Sequence, residues 1–129
     1  DKNAWENMPL SRENRDYANY ILKTTIDGDL PELLAATLPC SLSYYYIGKQ
    51  LAERDPKCLE RRYGELIADL ASEICREMCE LSSDYMDALC EGLDENRKQK
   101  LTEIFREVSI YEMGFWNMVY QDRDLKKNI

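Results

Sequence analysis

The chain of 129 residues contains no histidine and is poor in glycine, proline and basic side chains. The missing histidine argues against a haem with a proximal histidine and against a histidine-based zinc site. The chain has 17 Lys and Arg against 25 Asp and Glu, which gives a net charge of −8. A chain with this net charge lacks the cluster of basic side chains that is typical of a nucleic-acid-binding protein. Anionic membrane surfaces would repel it. No apolar run is long and uncharged enough to span a bilayer, and no segment resembles a signal peptide.

The residues that are present indicate a globular helical protein. Hydrophobic residues make up 44% and charged residues 33% of a chain with only 5 Gly and 4 Pro. This composition is not that of a disordered chain. The length suits one domain and can bury a substantial core. We therefore expect one all-α domain over residues 1–129, without a cofactor.

The cysteines are odd in number and lie mostly within helical patterns: Cys40, Cys58, Cys75, Cys79 and Cys90. Free thiols in a reducing compartment fit this distribution best, which predicts a cytoplasmic protein. Cys75 and Cys79 are one helical turn apart and could face a metal ion together, but no second cysteine pair completes a zinc site. Two thiols packed in the core are the favoured interpretation, and no metal is expected.

Apolar residues recur with helical periodicity in the N-terminal half of the chain. The pattern predicts a helix from about Ser11 to Ile26 that ends at the turn Asp27-Gly28-Asp29. A second helix is predicted from about Pro31 to Arg54. It is apolar nearly all round, so we expect it to be the central helix.

A third apolar stripe begins at about Leu59 and is long enough for one helix or for two, with a break at Ser72 or at Ser82-Ser83. Gly92 is the predicted end of this segment, and Asp94 is the predicted N-cap of a last helix. No stretch alternates with period two. Helices joined by short loops predict an all-α helical bundle.

A proline and a cysteine lie inside the central helix, in the sequence Leu38-Pro39-Cys40, and Tyr44 follows one turn later on the same face. Proline within a helix costs roughly 3 kcal/mol, so it predicts a kink after which the helix restarts near Cys40. Free N–H groups at a helix start favour an anion, and the thiolate is the nucleophilic form of cysteine. The alternative is a buried cysteine that packs as a small apolar residue beside a structural kink.

A carboxylate falls on the apolar face of the last predicted helix. Glu112 shares this face with Leu101, Phe105, Val108, Phe115 and Val119. A buried carboxylate is costly unless it is paired or protonated, and burial favours the protonated form, which suits a general acid or base. The alternative is a carboxylate held by tyrosine hydroxyl groups for packing specificity alone.

Four segments of the chain carry a resemblance to a known family. They are residues 17–22, residues 38–48 with Leu38-Pro39-Cys40 and Tyr44, residues 63–72, and residues 112–120 preceded by Phe105 and Ser109. In this order they are similar to the YxxYL, LPC…Y…G, YxxWIxxYxS and ExxFWxMxY motifs of the TenA/thiaminase II family. The resemblance covers nearly the whole chain.

The resemblance implies a haem-oxygenase-like all-α fold. It also implies the cleavage or hydrolysis of thiamin and its breakdown products at the aminopyrimidine ring, in thiamin salvage. By the same resemblance Cys40 is the nucleophile that attacks the ring, Glu112 handles protons at the ring, and Tyr44 orients the nucleophile. The residues implied to line the substrate pocket are Tyr17, Tyr63 and Phe115.

The chain departs from the family pattern in two ways. Leu66 and Leu70 stand where the family usually has Trp and Tyr, so we expect the pocket wall or a neighbouring contact to differ. The resemblance also covers only the C-terminal half of the family's domain, and the chain begins at Asp1 rather than at Met. We therefore expect a homo-oligomer or a site completed by an N-terminal half. The isolated chain is expected to expose an apolar patch, to depend on a partner and to lack activity.

Three functions follow from these patterns. The first is an aminopyrimidine hydrolase that acts through Cys40 and Glu112 on a small molecule. The second is a non-catalytic protein that binds thiamin or a pyrimidine, which the residues Leu66 and Leu70 would allow. A haem-handling protein of the same fold is disfavoured because the chain has no histidine.

Overall fold

Helices dominate the structure, a computed structural model that describes residues 9–125 and the side chains of residues 9–121. No strand occurs in the described part of the chain, and the predicted all-α helical bundle is confirmed. None of the described helices combines the length and the apolar character that crossing a membrane requires. The elements in chain order are α1 (Arg12–Asp27), α2 (Leu30–Arg54), a 3-10 helix (Pro56–Glu60), α3 (Gly64–Leu70), α4 (Glu73–Cys90) and α5 (Glu95–Leu125).

Side-chain caps determine where four of these helices begin. Ser11, Asp29, Ser72 and Asp94 each accept a hydrogen bond from the backbone N–H three residues later, at 2.8–3.2 Å. A cap of this kind stabilises a helix by about 1 kcal/mol. The predicted N-cap at Asp94 and the predicted break at Ser72 are confirmed, whereas Ser82-Ser83 lies inside α4.

The central position of α2 is confirmed, since it packs against α1, α3, α4 and α5. The core forms where Ala35 and Ala36 of α2, both 0% exposed, meet three apolar residues of α5: Leu101, Ile104 and Val108. The described helices cover only some sides of α2, in line with the expected exposed apolar patch. Four of its large side chains are 40–62% exposed: Leu30, Leu33, Tyr46 and Leu51.

Helix α2 runs without a break through Pro39, which is buried. The predicted restart of the helix at Cys40 is therefore wrong, and no new helix N-terminus lies beside the thiol. A proline inside a helix costs free energy locally. Packing against several neighbouring helices can offset this cost and keep the segment helical.

Two glycines allow close contacts at the two ends of α3. A Cβ atom at Gly48 would lie 2.6 Å from Cβ of Leu70, and one at Gly64 would lie 1.8 Å from the carbonyl oxygen of Leu59. Neither space admits a side chain. The Gly48 contact packs the end of α3 against α2, and the Gly64 contact packs the start of α3 against the 3-10 helix.

Candidate active site

A pocket of about 540 Å³ opens between α1, α2 and α5. Helical spacing places its lining residues, because side chains three or four positions apart share one face of a helix. Tyr17 comes from α1, Cys40 and Tyr44 from α2, and Glu112 and Phe115 from α5. The structure therefore brings together five of the six site residues named from the sequence.

Glu112 is the most unusual residue of this pocket. It is only 5% exposed, and its Oε1 accepts a hydrogen bond from the hydroxyl of Tyr17 at 2.5 Å. Its Oε2 is buried and has no hydrogen-bond partner among the described residues. A buried oxygen without a partner is costly, and here it belongs to a residue that lines the pocket. A ligand that donates a hydrogen bond could use it.

Tyr17 holds one side of this carboxylate. Its ring stacks on Tyr111 with the centroids 5.9 Å apart and the planes 3° from parallel. Burial, followed by the hydrogen bond to Glu112, raises the pKa of Tyr17. Tyr17 therefore remains protonated and donates to Glu112 at neutral pH.

Cys40 is a half-buried free thiol on the same pocket wall. Burial, and then the nearby carboxylate of Glu112, raise the pKa of Cys40 to about 11. The residue is a thiol rather than a thiolate at neutral pH, contrary to the anion-favouring helix start predicted from Pro39. A nucleophilic role for Cys40 thus needs a group that takes its proton.

Tyr44 lies one turn after Cys40, as predicted, and lines the same pocket. Its ring centroid is 5.4 Å from that of Trp116, which in turn meets Phe115 at 5.7 Å. Burial, and then the charge of Glu112, raise the pKa of Tyr44, so its hydroxyl group stays protonated.

Tyr63 does not line this pocket. It is 63% exposed just before α3, and the guanidinium of Arg62 lies 5.6 Å from the centre of its ring. Leu66 is 54% exposed, and Leu70 packs against Gly48. Neither leucine forms the wall of the pocket, so the expected change in that wall is not seen.

Sequence reasoning missed several lining residues, of which Asn14 is the most polar. The others are Ala18, Ile21, Thr37 and Ser41. Asn14 lies three residues before Tyr17, so extending the stripe of α1 by one turn would have included it. No group of three or more Cys, Asp or Glu side chains within the described residues is arranged to hold a metal ion.

The model of the TENA/THI-4/PQQC family matches residues 2–122 of the chain. An aminopyrimidine aminohydrolase of Halalkalibacterium halodurans is 36% identical over 107 residues, which cover 83% of this chain and 48% of that protein. An aminopyrimidine aminohydrolase of Helicobacter pylori is 33% identical over 109 residues, which cover 84% of this chain and 50% of that protein.

Known structures give the same picture of the fold. A crystal structure of a TenA family transcription regulator from Silicibacter sp. TM1040 superimposes with a TM-score of 0.77 at 29% sequence identity. The match covers 92% of this chain and 54% of that one. The chain spans about half the length of the curated relatives it matches.

Proposed function

The chain belongs to the TENA/THI-4/PQQC family, and on this premise we propose that the pocket between α1, α2 and α5 hydrolyses thiamin or its breakdown products at the aminopyrimidine ring. The observation that carries the proposal is the open oxygen of Glu112 beside the protonated thiol of Cys40. A nucleophile and a proton acceptor are thereby paired in one pocket.

The proposed first step is nucleophilic attack by Cys40. Its Sγ forms a bond to an electrophilic carbon of the pyrimidine ring while the thiol proton passes to Oε2 of Glu112. Glu112 then gives this proton to a ring nitrogen, so the charge that attack places on the ring is neutralised. The high pKa of Cys40 makes such a transfer necessary.

The second part of the cycle restores the enzyme. The leaving group takes one proton and departs from the exocyclic carbon that joins it to the ring. A water molecule then supplies hydroxide to that exocyclic carbon and a proton to a ring nitrogen. The carbon–sulfur bond then breaks, and the thiol of Cys40 regains its proton. The net change is the replacement of the leaving group by a hydroxyl group at the cost of one water molecule.

Three neighbours have supporting roles in this proposal. Tyr17 fixes the carboxylate of Glu112 through its hydrogen bond to Oε1 and leaves Oε2 for the substrate. Tyr44 orients the nucleophile from the next turn of α2, and Phe115 supplies an aromatic wall for a flat ring. Tyr63 is left out of the proposed site because it lies outside the pocket.

The chain spans about half the length of its relatives. We therefore propose that the pocket is one wall of a site that further polypeptide completes, either an N-terminal half or a second copy in a homo-oligomer. The pocket is not enclosed by the described residues, which leaves room for such a contribution.

The test uses the protein encoded by the natural reading frame and measures product formation from thiamin and its aminopyrimidine breakdown products. Cys40→Ser should lower kcat/KM by a factor on the order of a thousand and preserve the helical circular dichroism spectrum. The matched control is Cys75→Ser, a half-buried cysteine outside the pocket, which should keep full activity. Full activity of Cys40→Ser would contradict the nucleophile.

A binding function without turnover is the second candidate. It is favoured by one observation, namely that the Silicibacter relative is described as a transcription regulator. In that case the wild-type protein would bind the pyrimidine ligand but release no product, and Cys40→Ala would leave the dissociation constant unchanged. Turnover that Cys40→Ala abolishes would exclude this candidate.

A further inference from the structure

An apolar stripe on α4 is left uncovered by the described part of the chain. It consists of Ile74, Met78, Leu81 and Tyr85, which are 74%, 58%, 63% and 50% exposed. Their spacing of four, three and four residues places them on one narrow strip of the helix, about three turns long. None of the four lines the pocket between α1, α2 and α5. The stripe is therefore a separate surface.

The packed side of α4 lies next to this stripe. Cys79 is 5% exposed, and its Sγ lies 3.6 Å from the carbonyl oxygen of Ser41 on α2. The apolar arc of α4 is thus wider than the part that α2 covers. An exposed apolar strip of this length on a helix is typical of a contact surface.

The other edge of the stripe is acidic along its whole length. Helical geometry places three exposed residues of α4 there: Glu73, Glu77 and Asp84. Arg76 pairs with Glu73 and Glu80. Within the described residues, Glu77 and Asp84 have no ion-pair partner, so the edge carries an uncompensated negative charge.

We propose that this face of α4 docks a basic amphipathic helix of a partner protein. The partner helix would present apolar side chains at the same three-and-four spacing to Met78 and Leu81. Its Lys or Arg side chains would lie along the edge that faces Glu77 and Asp84. Apolar contacts supply the affinity in such helix pairs, and the flanking charges choose the partner and its orientation.

The charge distribution argues against a second copy of this chain as the occupant. An antiparallel pair of α4 helices related by a twofold axis would bring both acidic edges to the same side of the contact. Each copy also carries a net charge of −8, which opposes self-association. A basic partner removes both penalties.

The experiment compares two synthetic helical peptides with the same apolar stripe, one flanked by Lys and the other by Glu. Binding to the protein encoded by the natural reading frame is measured by fluorescence anisotropy. The Lys peptide should bind on the order of tenfold more tightly than the Glu peptide, and the difference should shrink when salt is raised from about 0.05 M to about 0.5 M.

Matched variants locate the binding site. Leu81→Gln should weaken binding of the Lys peptide on the order of tenfold. The control Leu22→Gln, which changes a 57% exposed leucine of α1, should leave it unchanged. Reversal of the acidic edge by Glu77→Lys with Asp84→Lys should make the Glu peptide the tighter ligand. The same change to Lys at Glu13 and Glu103 should leave the Lys peptide as the tighter ligand.

Three results would overturn the proposal. They are binding of neither peptide, equal affinity for both peptides, and binding that Leu81→Gln does not weaken. A dimer or larger species in analytical ultracentrifugation that Leu81→Gln dissociates would assign the stripe to a second copy instead.

Discussion

Two glutamates of this chain are equally buried, each 5% exposed, but their surroundings differ completely. Glu32, near the start of α2, pairs with Arg97 and, at 2.6 Å, with Lys100. Glu112, on α5, meets the hydroxyl of Tyr17 and no cation, and one of its oxygens has no partner among the described residues. Burial alone therefore does not identify a functional carboxylate, and the set of partners does.

The partners of Glu32 offset the cost of its burial. Hydrogen bonding to Lys100 lowers the pKa of Glu32, and Arg97 lowers it further. Desolvation opposes this shift but does not cancel it. Arg97 also bridges to Asp29 at 2.6 Å, so this ion cluster ties the start of α2 to the start of α5. The charge of Glu32 is thus compensated within the fold, whereas one oxygen of Glu112 has no partner among the described residues, as the proposed reaction requires.

The largest expected effect is a loss of kcat when Glu112, but not Glu32, is replaced. Glu112→Gln keeps the shape of the side chain and removes the proton acceptor. In the protein from the natural reading frame it should lower kcat about a thousandfold, with little change in ligand affinity. Steady-state turnover of the aminopyrimidine substrate and calorimetric titration of the ligand measure the two quantities.

The matched variant Glu32→Gln should leave kcat unchanged at a temperature where both proteins are folded. An equal loss of rate in the two variants would mean that Glu112 supports the fold rather than the reaction. A loss of ligand affinity with an intact rate would make Glu112 an anchor for the substrate.

The second prediction concerns the thiol beside Glu112. Because the pKa of Cys40 is raised to about 11, alkylation of Cys40 should show a pH midpoint near that value. An ordinary thiol has its midpoint at about 8.5, so at pH 8 alkylation should be slowed roughly a hundredfold. Iodoacetamide labelling followed by peptide mass spectrometry gives the pH profile of this single cysteine.

Replacing Glu112 or Glu32 should affect the pH profile of Cys40 alkylation differently. Glu112→Gln removes a negative charge next to the thiol and should lower the midpoint. Glu32→Gln lies outside the pocket and should not move it. A wild-type midpoint near that of a free thiol would contradict the described surroundings of Cys40.

Local patterns carried much of the fold and of the site. Caps and periodicity placed α1 and α2 within a residue or so of their observed bounds, because both signals depend on neighbours within one helical turn. The convergence of Cys40, Tyr44 and Glu112 was also predictable, since each lies on a core-facing stripe of its helix.

The features that sequence reasoning missed depend on distant parts of the chain. The burial of Glu32 requires a contact with Arg97, 65 residues later in the chain. No local sequence pattern around Glu32 predicts this contact. The unbroken helix at Pro39 reflects packing by other helices. Tyr63 was placed in the pocket by resemblance to a motif, but the 3-10 helix and the start of α3 leave it exposed.

The smallest expected effect is on stability, and it concerns Glu32. Glu32→Gln should lower the free energy of unfolding by about 2 kcal/mol at pH 7, because Arg97 and Lys100 lose their buried counter-charge. The loss is less than for a fully buried pair, since Lys100 is 59% exposed and Arg97 keeps Asp29. Urea unfolding of the chain, followed by circular dichroism, measures it.

The pH dependence tests the cause of this effect. The pKa of Glu32 is lower in the folded chain than in the unfolded chain. Its contribution to stability is therefore complete above the unfolded pKa of about 4.3 and is lost as the pH falls through the lower, folded pKa. The difference between the wild-type chain and Glu32→Gln should shrink over that interval. Glu73→Gln, which removes an exposed partner of Arg76, should leave stability nearly unchanged throughout. A Glu32→Gln effect that is the same at acidic and neutral pH would show that Glu32 acts through its shape rather than its charge, and the contrast with Glu112 would then lose its electrostatic basis.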